Sequence, residues 1–380
     1  MRRTVKRPKM AVVRAFPRIP ECSFYTFFTK MKVKLIGNNQ KIANLFKDSG
    51  RNIESVYLRL KPAYFLDPIK LIYRHETHRS WSFFDELEDS VRDCNVINIS
   101  DTFYFYCGQC AEISEKLKKP LVTIVWETLP GHPATYLPPY CLNVKKVINN
   151  TRLFILRSKR ALNFTDSLNI PHSKVEVIYK GIDLAKFYPP KTLKLGKPLT
   201  ILYVGQLVKP KGVGDLLKAF IKLYQRYKNV ELVLAGTGYL KEQIVTLSKI
   251  YPIRYLGYID YFRLPEIYRN AHIFCSPSRE ERYFGTLVGE ERFSYTLMEA
   301  QASGLPIVAT KCGGILEEIG KENLLVEQGD VVGLTLALEK LIKDKSLLER
   351  LGKLNRKRAE ELFDVRKQAK KTEEAIYSII

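Results

Sequence analysis

Glu291-Arg-Phe-Ser-Tyr-Thr-Leu-Met-Glu299, running on as Ala300-Gln-Ala-Ser-Gly304-Leu-Pro-Ile-Val-Ala-Thr310 and then Gly313-Gly314, decides how this chain is read. Two glutamates stand with seven residues between them. The residue types predict a loop, a helix opening near Ser294, a tight turn at Gly304, a buried strand over 305–310 and a glycine loop. Such a unit gathers carboxylates and bare backbone N–H groups at the carboxyl edge of a parallel sheet, a place that suits a phosphorylated ligand.

Upstream of this stretch the same rhythm repeats. Leu199–Val204 reads as a strand ending at Gly205, 215–227 as a helix, Val230–Ala235 as a strand ending in Gly236-Thr-Gly238, 239–250 as a helix and 253–256 as a short strand. A helix over 264–270 and a strand over Ile273–Ser276 complete the series. Further upstream, 11–16, 32–36, 53–60, 96–99, 121–125 and 175–179 are strand candidates, and 103–118 is the clearest helix between two of them. This alternation predicts two doubly wound parallel-sheet domains. The segment 62–93, rich in aromatic and charged residues, fits no period and reads as an irregular or helical insertion. Lys180-Gly-Ile-Asp183, Phe187-Tyr-Pro-Pro190 and Gly196 read as the interdomain linker, and 365–380 as a final helix that packs through an apolar stripe.

Length agrees, since 380 residues exceed what one core usually supports. No run of eighteen apolar residues and no signal-peptide core is found, so the expectation is a soluble, cytoplasmic protein. The net charge of +22 asks for an anionic partner. Its basic runs at 145–146, 157–160 and 353–358 read as solvated helix faces. The seven cysteines make no disulfide framework. Cys107-Gly-Gln-Cys110 lacks a second ligand pair, and His75-Glu-Thr-His78 has the wrong spacing for a zinc helix, so the thiols read as small apolar residues facing a sheet.

Taken in order, Val204-Gly205-Gln-Leu207 with Lys211-Gly212, Leu234-Ala-Gly236-x-Gly238, Leu256-Gly257-Tyr258, Ser276-Pro-Ser278 and the spaced glutamates with Gly304-x-Pro306 and Gly313-Gly314 resemble the retaining glycosyltransferases of the family 4 type, the glycosyl transferases group 1, over about residues 175–330. The resemblance implies the GT-B architecture: an N-terminal Rossmann-like acceptor domain over 1–188, a C-terminal donor domain over 189–363, a deep cleft between them, and a helix over 364–380 returning to the first domain. It also implies transfer of a hexose from a UDP- or GDP-sugar to a hydroxyl acceptor, sugar or lipid-linked, with retention, no metal and no cofactor.

Residue by residue, the resemblance gives Glu299 the ribose diol and Glu291 the sugar hydroxyls. It gives Lys211 the diphosphate, the backbone of Phe293, Ser294, Tyr295 and Thr296 the sugar and phosphate, and Tyr258 and Ile259 the base, with Gly205 and Gly236 lining the site. Ionised carboxylates only accept hydrogen bonds, which suits hydroxyl recognition. Gln206 stands where most relatives have an arginine, so one phosphate charge must come from Lys209 or another base. An extra stretch, 279–290, has the place of a lid over the donor or a contact to the acceptor. The first domain lacks the family's usual His-Asp after the strand over 121–125 and has Trp126-Glu127 there, leaving Glu127 and His132 as its catalytic candidates.

Three rivals remain at this stage. The two glutamates would serve a glycosidase if one had a raised pKa. A basic, aromatic-rich chain would suit nucleic acid, but no helix-turn-helix, zinc finger or RNP-like signature accompanies the charge. Arg74, Arg79, Trp81, Phe83 and Phe84 would dock peripherally on an anionic inner membrane face.

Overall fold

A computed structural model describes residues 7–47, 52–62, 82–190 and 198–380. The chain forms two compact units, Met1–Gly181 with Val365–Ile380, and Ile182–Asp364. The first contains β1 (Lys9–Arg14), β2 (Lys32–Gly37), β3 (Ile53–Tyr57), β4 (Leu60–Pro62), β5 (Ser82–Phe84), β6 (Val96–Ser100), β7 (Leu121–Val125), β8 (Thr151–Leu156) and β9 (Val175–Val177). Seven of these make a parallel sheet in the order β3-β2-β1-β6-β7-β8-β9, while β4 and β5 pair separately and antiparallel.

Alternate residues of each strand enter opposite cores, as the pleat requires. Met10 and Val12 face a cluster with Phe24, Phe28, Val365 and Ile376, whereas Ala11 and Val13 face Val91, Cys107 and Cys110. The C-terminal helix Val365–Tyr377 is thus part of the first unit's core. Its buried Glu373 carboxylate accepts from three consecutive amides, those of Thr29 at 3.0 Å, Lys30 at 2.7 Å and Met31 at 2.8 Å.

Several expectations are corrected here. Thr151–Leu156 is a strand that the sequence pattern did not reveal. Arg157 does not lie on a solvated helix face: it is buried at the end of β8, its guanidinium donating to the carbonyls of Ile178 and Tyr179 at 3.1 and 3.3 Å and lying 4.9 Å from the Phe24 ring. Phe84 is buried with its edge on Tyr106, and half-buried Phe83 meets Phe105, so both serve packing rather than a membrane face. Arg74, Arg79, Trp81, His75 and His78 lie outside the described residues, as do Gly196 and most of 62–81. Within 82–93 the chain forms β5 and a short helix, Leu87–Val91.

The second unit contains β10 (Leu199–Val204), β11 (Val230–Ala235), β12 (Ile253–Gly257), β13 (Ile273–Ser276), β14 (Glu281–Tyr283), β15 (Thr286–Gly289), β16 (Ile307–Thr310) and β17 (Leu324–Val326). Its parallel sheet runs β12-β11-β10-β13-β16-β17. The helix Val213–Arg226 buries Val213, Leu216, Leu217, Phe220 and Leu223 against that sheet, the spacing of a one-sided apolar stripe. The 279–290 stretch is an antiparallel hairpin of β14 and β15. Its base is tied down by Arg279, which donates through two nitrogens to Asp215, each at 2.5 Å. Phe284 stands fully exposed at its tip. Among the described residues, no helix is long and apolar enough to cross a membrane.

Candidate functional site

In the second unit the carboxyl ends of β10, β11, β13 and β16 converge, and two glycines make the convergence possible. Gly212, with φ of +66°, caps the Val213–Arg226 helix, and a Cβ there would stand 1.7 Å from the Pro277 carbonyl oxygen. Gly236 is equally constrained: a Cβ would meet the Gly205 carbonyl oxygen at 1.8 Å. With Gly212 pressed on Pro277, the Lys211 side chain comes beside the segment after β13. Its ammonium donates to Glu291 Oε2 at 2.7 Å, and the Ser278 hydroxyl donates to the same oxygen at 3.0 Å. Glu291 is the more buried partner, 11% exposed against 33% for Lys211.

Glu291 is fixed from behind as well, because the Gly314 amide donates to its carbonyl oxygen at 2.7 Å. Three residues on, Ser294 begins the helix Tyr295–Ala302. The Ser294 amide donates to buried Glu318 at 2.8 Å, and the Ser294 and Thr296 hydroxyls are 2.8 Å apart. Phe293 is buried edge-on against Phe363, leaving backbone rather than side chain for any ligand. Tyr295 and Thr296 are half-buried on the first turn. At a helix start, amides and the positive end of the dipole favour an anion.

Glu299 lies one turn further in and is buried. The Tyr268 hydroxyl donates to its Oε2 at 2.8 Å, with the Thr296 carbonyl at 3.3 Å as an alternative acceptor. Burial pushes the Glu299 carboxyl up to about 8, and the Tyr268 hydrogen bond offsets only part of that rise. Between its ordinary value of 4.5 and about 8, the folded chain holds a proton that the unfolded chain has released. The stability contribution is therefore complete below 4.5 and is lost as pH rises through that window, at up to about 1.4 kcal/mol per unit. Glu299→Gln removes the dependence, so its melting temperature should gain on the wild type as pH is raised from about 5 to 8. Paired thermal melts check this, and a constant gap would mean that Glu299 is already ionised in the folded protein at neutral pH.

The other expected donor residues occupy the same sheet edge. Gly205 follows β10, and Gln206 is exposed, its carbonyl accepting from the Tyr203 hydroxyl at 2.7 Å. Tyr258 is 74% exposed just beyond β12, and Ile259 is half-buried beside it. The Lys209 amide donates to the Tyr239 hydroxyl at 2.6 Å. Ser278, Tyr268 and Glu318 were not singled out as site residues in the sequence. Each meets its partner across 13 to 31 residues, so no local pattern marks it. The Ser276-Pro-Ser278 motif was the one available signal.

The first unit brings its two candidates together. Glu127, just past β7, is fully buried, and His132 Nε2 lies 3.8 Å from its Oε2. The other carboxylate oxygen accepts from the Thr128 and Leu129 amides at 2.9 and 3.0 Å. Cys107 and Cys110 are buried, and burial holds both thiols well above their ordinary range. Among the described residues, no group of three or more His, Cys, Asp or Glu side chains has the geometry of a metal site.

Residues 185–358 match the family model of glycosyl transferases group 1. Glycogen synthase of Mycobacterium tuberculosis is 27% identical over 199 residues, which are 50% of this chain and 45% of that protein. The phosphatidyl-myo-inositol mannosyltransferase of Mycolicibacterium smegmatis is 30% identical over 192 residues, 48% of this chain and 45% of the relative. The chain thus spans about half the length of the curated relatives it matches. Among solved structures, Anabaena Alr3699/HepE in complex with UDP and glucose superposes with a TM-score of 0.73 at 17% identity, covering 98% of this chain and 100% of that one. Sucrose-phosphate synthase from Thermosynechococcus elongatus gives 0.68 at 16% identity, covering 98% and 99%. At such identities the likeness establishes the fold, which is GT-B. The spaced glutamates, the glycine-lined strand ends and the residues that match the glycosyl transferases group 1 model all fall in the second unit.

Proposed function

We propose that this protein is a retaining, metal-independent hexosyltransferase that takes its sugar from a UDP- or GDP-sugar and delivers it to a hydroxyl of a sugar or lipid-linked acceptor. The observation that carries this reading is the Lys211–Glu291–Ser278 contact beside the start of the Tyr295–Ala302 helix. It sets a positive charge and helix amides next to a carboxylate that can receive sugar hydroxyls. Lys211 and the amides near Ser294 stabilise the leaving diphosphate, a fixed electrostatic aid that asks for no metal ion. Glu291 orients the hexose, and Glu299 receives the ribose diol. The leaving phosphate takes the acceptor proton as the new bond forms. HepE, whose fold this chain shares, holds UDP and glucose in its crystals, which supports a nucleotide-sugar donor.

Thermal-shift titration with UDP-, GDP- and ADP-sugars in the presence of a chelator tests the proposal. One of them should raise the melting temperature of the wild type by about 5 °C at saturation, and Glu299→Ala should abolish the shift. A wild type that none of them stabilises would remove the main support for a donor site here.

A further inference from the structure

Glu299 and Glu373 are both buried glutamates, but the fold supports them very differently. Glu373 accepts from the amides of Thr29, Lys30 and Met31 and from the Thr29 hydroxyl, the kind of donor set that a buried carboxylate needs. Glu299 has a single donor among the described residues, the Tyr268 hydroxyl 2.8 Å from its Oε2, and no Lys, Arg or His among them forms an ion pair with it. Its Oε1 receives no hydrogen bond from any described residue. An ionised carboxyl has about four acceptor positions, so Glu299 is short of donors in a place where a charge needs them.

Tyr268 is held firmly as that one donor. It lies on the short helix Leu264–Arg269 and is fully buried, its ring edge-on to Phe187 at 5.8 Å and tilted on Phe274 at 5.7 Å. Burial and the facing carboxylate hold the phenol well above its ordinary range, so it keeps its proton. The other titratable groups packed around this helix and the Tyr295–Ala302 helix are Tyr203 of β10, Tyr261 with Asp183 and Tyr295 beside it, Glu318 on the Ser294 amide, and Arg356, which donates to the Ala302 carbonyl at 2.7 Å. The causes acting on the Glu299 carboxyl itself are burial, which raises it, and the Tyr268 bond, which lowers it.

We propose that Tyr268 is a positioning residue of the donor site that acts through Glu299, its hydroxyl holding Oε2 of the ionised carboxylate so that Oε1 is presented to a vicinal diol of the bound ligand. The proposal rests on the transferase reading for that ligand, a nucleoside diphosphate with both ribose hydroxyls, but the pairing of Tyr268 with Glu299 does not depend on it. Below about 8 the free protein holds Glu299 mostly protonated, and the diol must expel that proton to meet a carboxylate. The affinity owed to the diol therefore rises with pH toward about 8, levels off above it, and is lost as pH falls. Without the Tyr268 hydroxyl burial acts unopposed, and the rise moves to higher pH. When Glu299 is protonated, the Tyr268 hydrogen turns to its second acceptor, the Thr296 carbonyl at 3.3 Å, so the phenol reports which form is present.

Calorimetric titration of the whole chain with UDP, GDP and ADP, each against its 2′-deoxy form, isolates the diol, because the titration of the phosphates is common to each pair. For the diphosphate that binds, the preference for the ribose form should grow about tenfold in the wild type between about pH 6 and 8.5. In Tyr268→Phe that preference should be about tenfold smaller at about pH 7.5 and should appear only at higher pH. Glu299→Gln should show a weak preference that does not vary with pH, and adding Tyr268→Phe to it should change nothing further. Carbon-13 NMR of protein labelled at the Tyr268 Cζ needs neither ligand nor Tyr268 variant: the signal should titrate between about pH 6 and 9 in the wild type and stay flat in Glu299→Gln. A flat wild-type signal, or a folded Tyr268→Phe protein that keeps the wild-type preference and its course with pH, overturns the proposal. If Tyr268→Phe does not accumulate as folded protein, the labelled wild type decides the matter. A chain that binds none of the three diphosphates while the Tyr268 signal follows Glu299 overturns the transferase reading and the ligand named here, and the pairing of the two residues stands. A chain that binds one of them with no preference for the ribose form at any pH overturns the diol assigned to Glu299.

Discussion

Lys211→Met should lower kcat/KM for the sugar donor about a thousandfold, while the melting temperature of the free protein stays within about 2 °C of the wild type. The ammonium is a third exposed and meets Glu291 at 2.7 Å, so its loss removes a half-solvated ion pair that contributes little to folding. Under the proposed transfer the consequence for catalysis is different, because charge would grow on the diphosphate as the glycosidic bond to it breaks. A cation aimed at that growing charge acts more strongly in the transition state than on the bound donor, so most of the deficit should fall in kcat. Lys211→Arg keeps the charge but presents a planar fork on a longer stem, and should recover only part of the rate. Steady-state kinetics of the three proteins with one donor settle the point. A Lys211→Met enzyme retaining a tenth or more of wild-type kcat/KM would show that some other base carries the phosphate.

Glu373→Ala should be among the most damaging single changes to the stability of the first unit, lowering it by about 3 kcal/mol. The Glu373 carboxylate is 1% exposed and accepts from the amides of Thr29, Lys30 and Met31 as well as the Thr29 hydroxyl. Removing it takes the acceptor from three neighbouring backbone donors at once, in a place where water has little access to replace it. For a unit of this size the deficit corresponds to about 8 °C in melting temperature. Hydrogen exchange at Thr29, Lys30 and Met31 should rise first, since the lost bonds are local. A variant within about 1 kcal/mol of the wild type by denaturant unfolding would show that the loop finds other acceptors.

The second half of this chain was largely legible because β10, β11, β12, β13 and β16 each end in, or are followed directly by, glycine, serine or threonine, and the helix after Ser294 begins where the residue types change. Leu199–Val204, Val230–Ala235 and Ile273–Ser276 are strands with the expected limits. The first half was harder to read. Thr151 closes the helix Tyr140–Asn150 and opens β8 at once, with no glycine or proline between to mark the change of period. The arginine that follows β8 looks like part of a basic helix surface, and only the carbonyls of Ile178 and Tyr179, some twenty residues on, make it a buried group.

The site shows the same division. Glu291 and Glu299 could be placed by their spacing beside a helix start, a local property. The burial that raises the Glu299 pKa comes from the surrounding fold, against the opposing hydrogen bond from Tyr268, and the Glu127 carboxylate is folded back onto its own following amides. Neither leaves a mark in residue spacing. Function was more readable than environment because function needs particular residue types in order, whereas environment depends on contacts made across the fold.

The helix Val365–Tyr377 supplies Val365, Ala369, Ala375 and Ile376 to the core of the first unit, although the whole second unit is encoded between them and β9. During synthesis the first unit therefore lacks a wall until 365–376 follow the second unit out of the ribosome, and its open apolar face is exposed for as long as 182–364 takes to emerge. The same wiring offers a shortcut for protein engineering. A Cβ on Gly181 would lie 2.4 Å from the Val365 Cα, so the two chain ends created by excising 182–364 already touch. Joining them through a short glycine link should give a continuous, separately folding first unit, and 182–364 should fold without it.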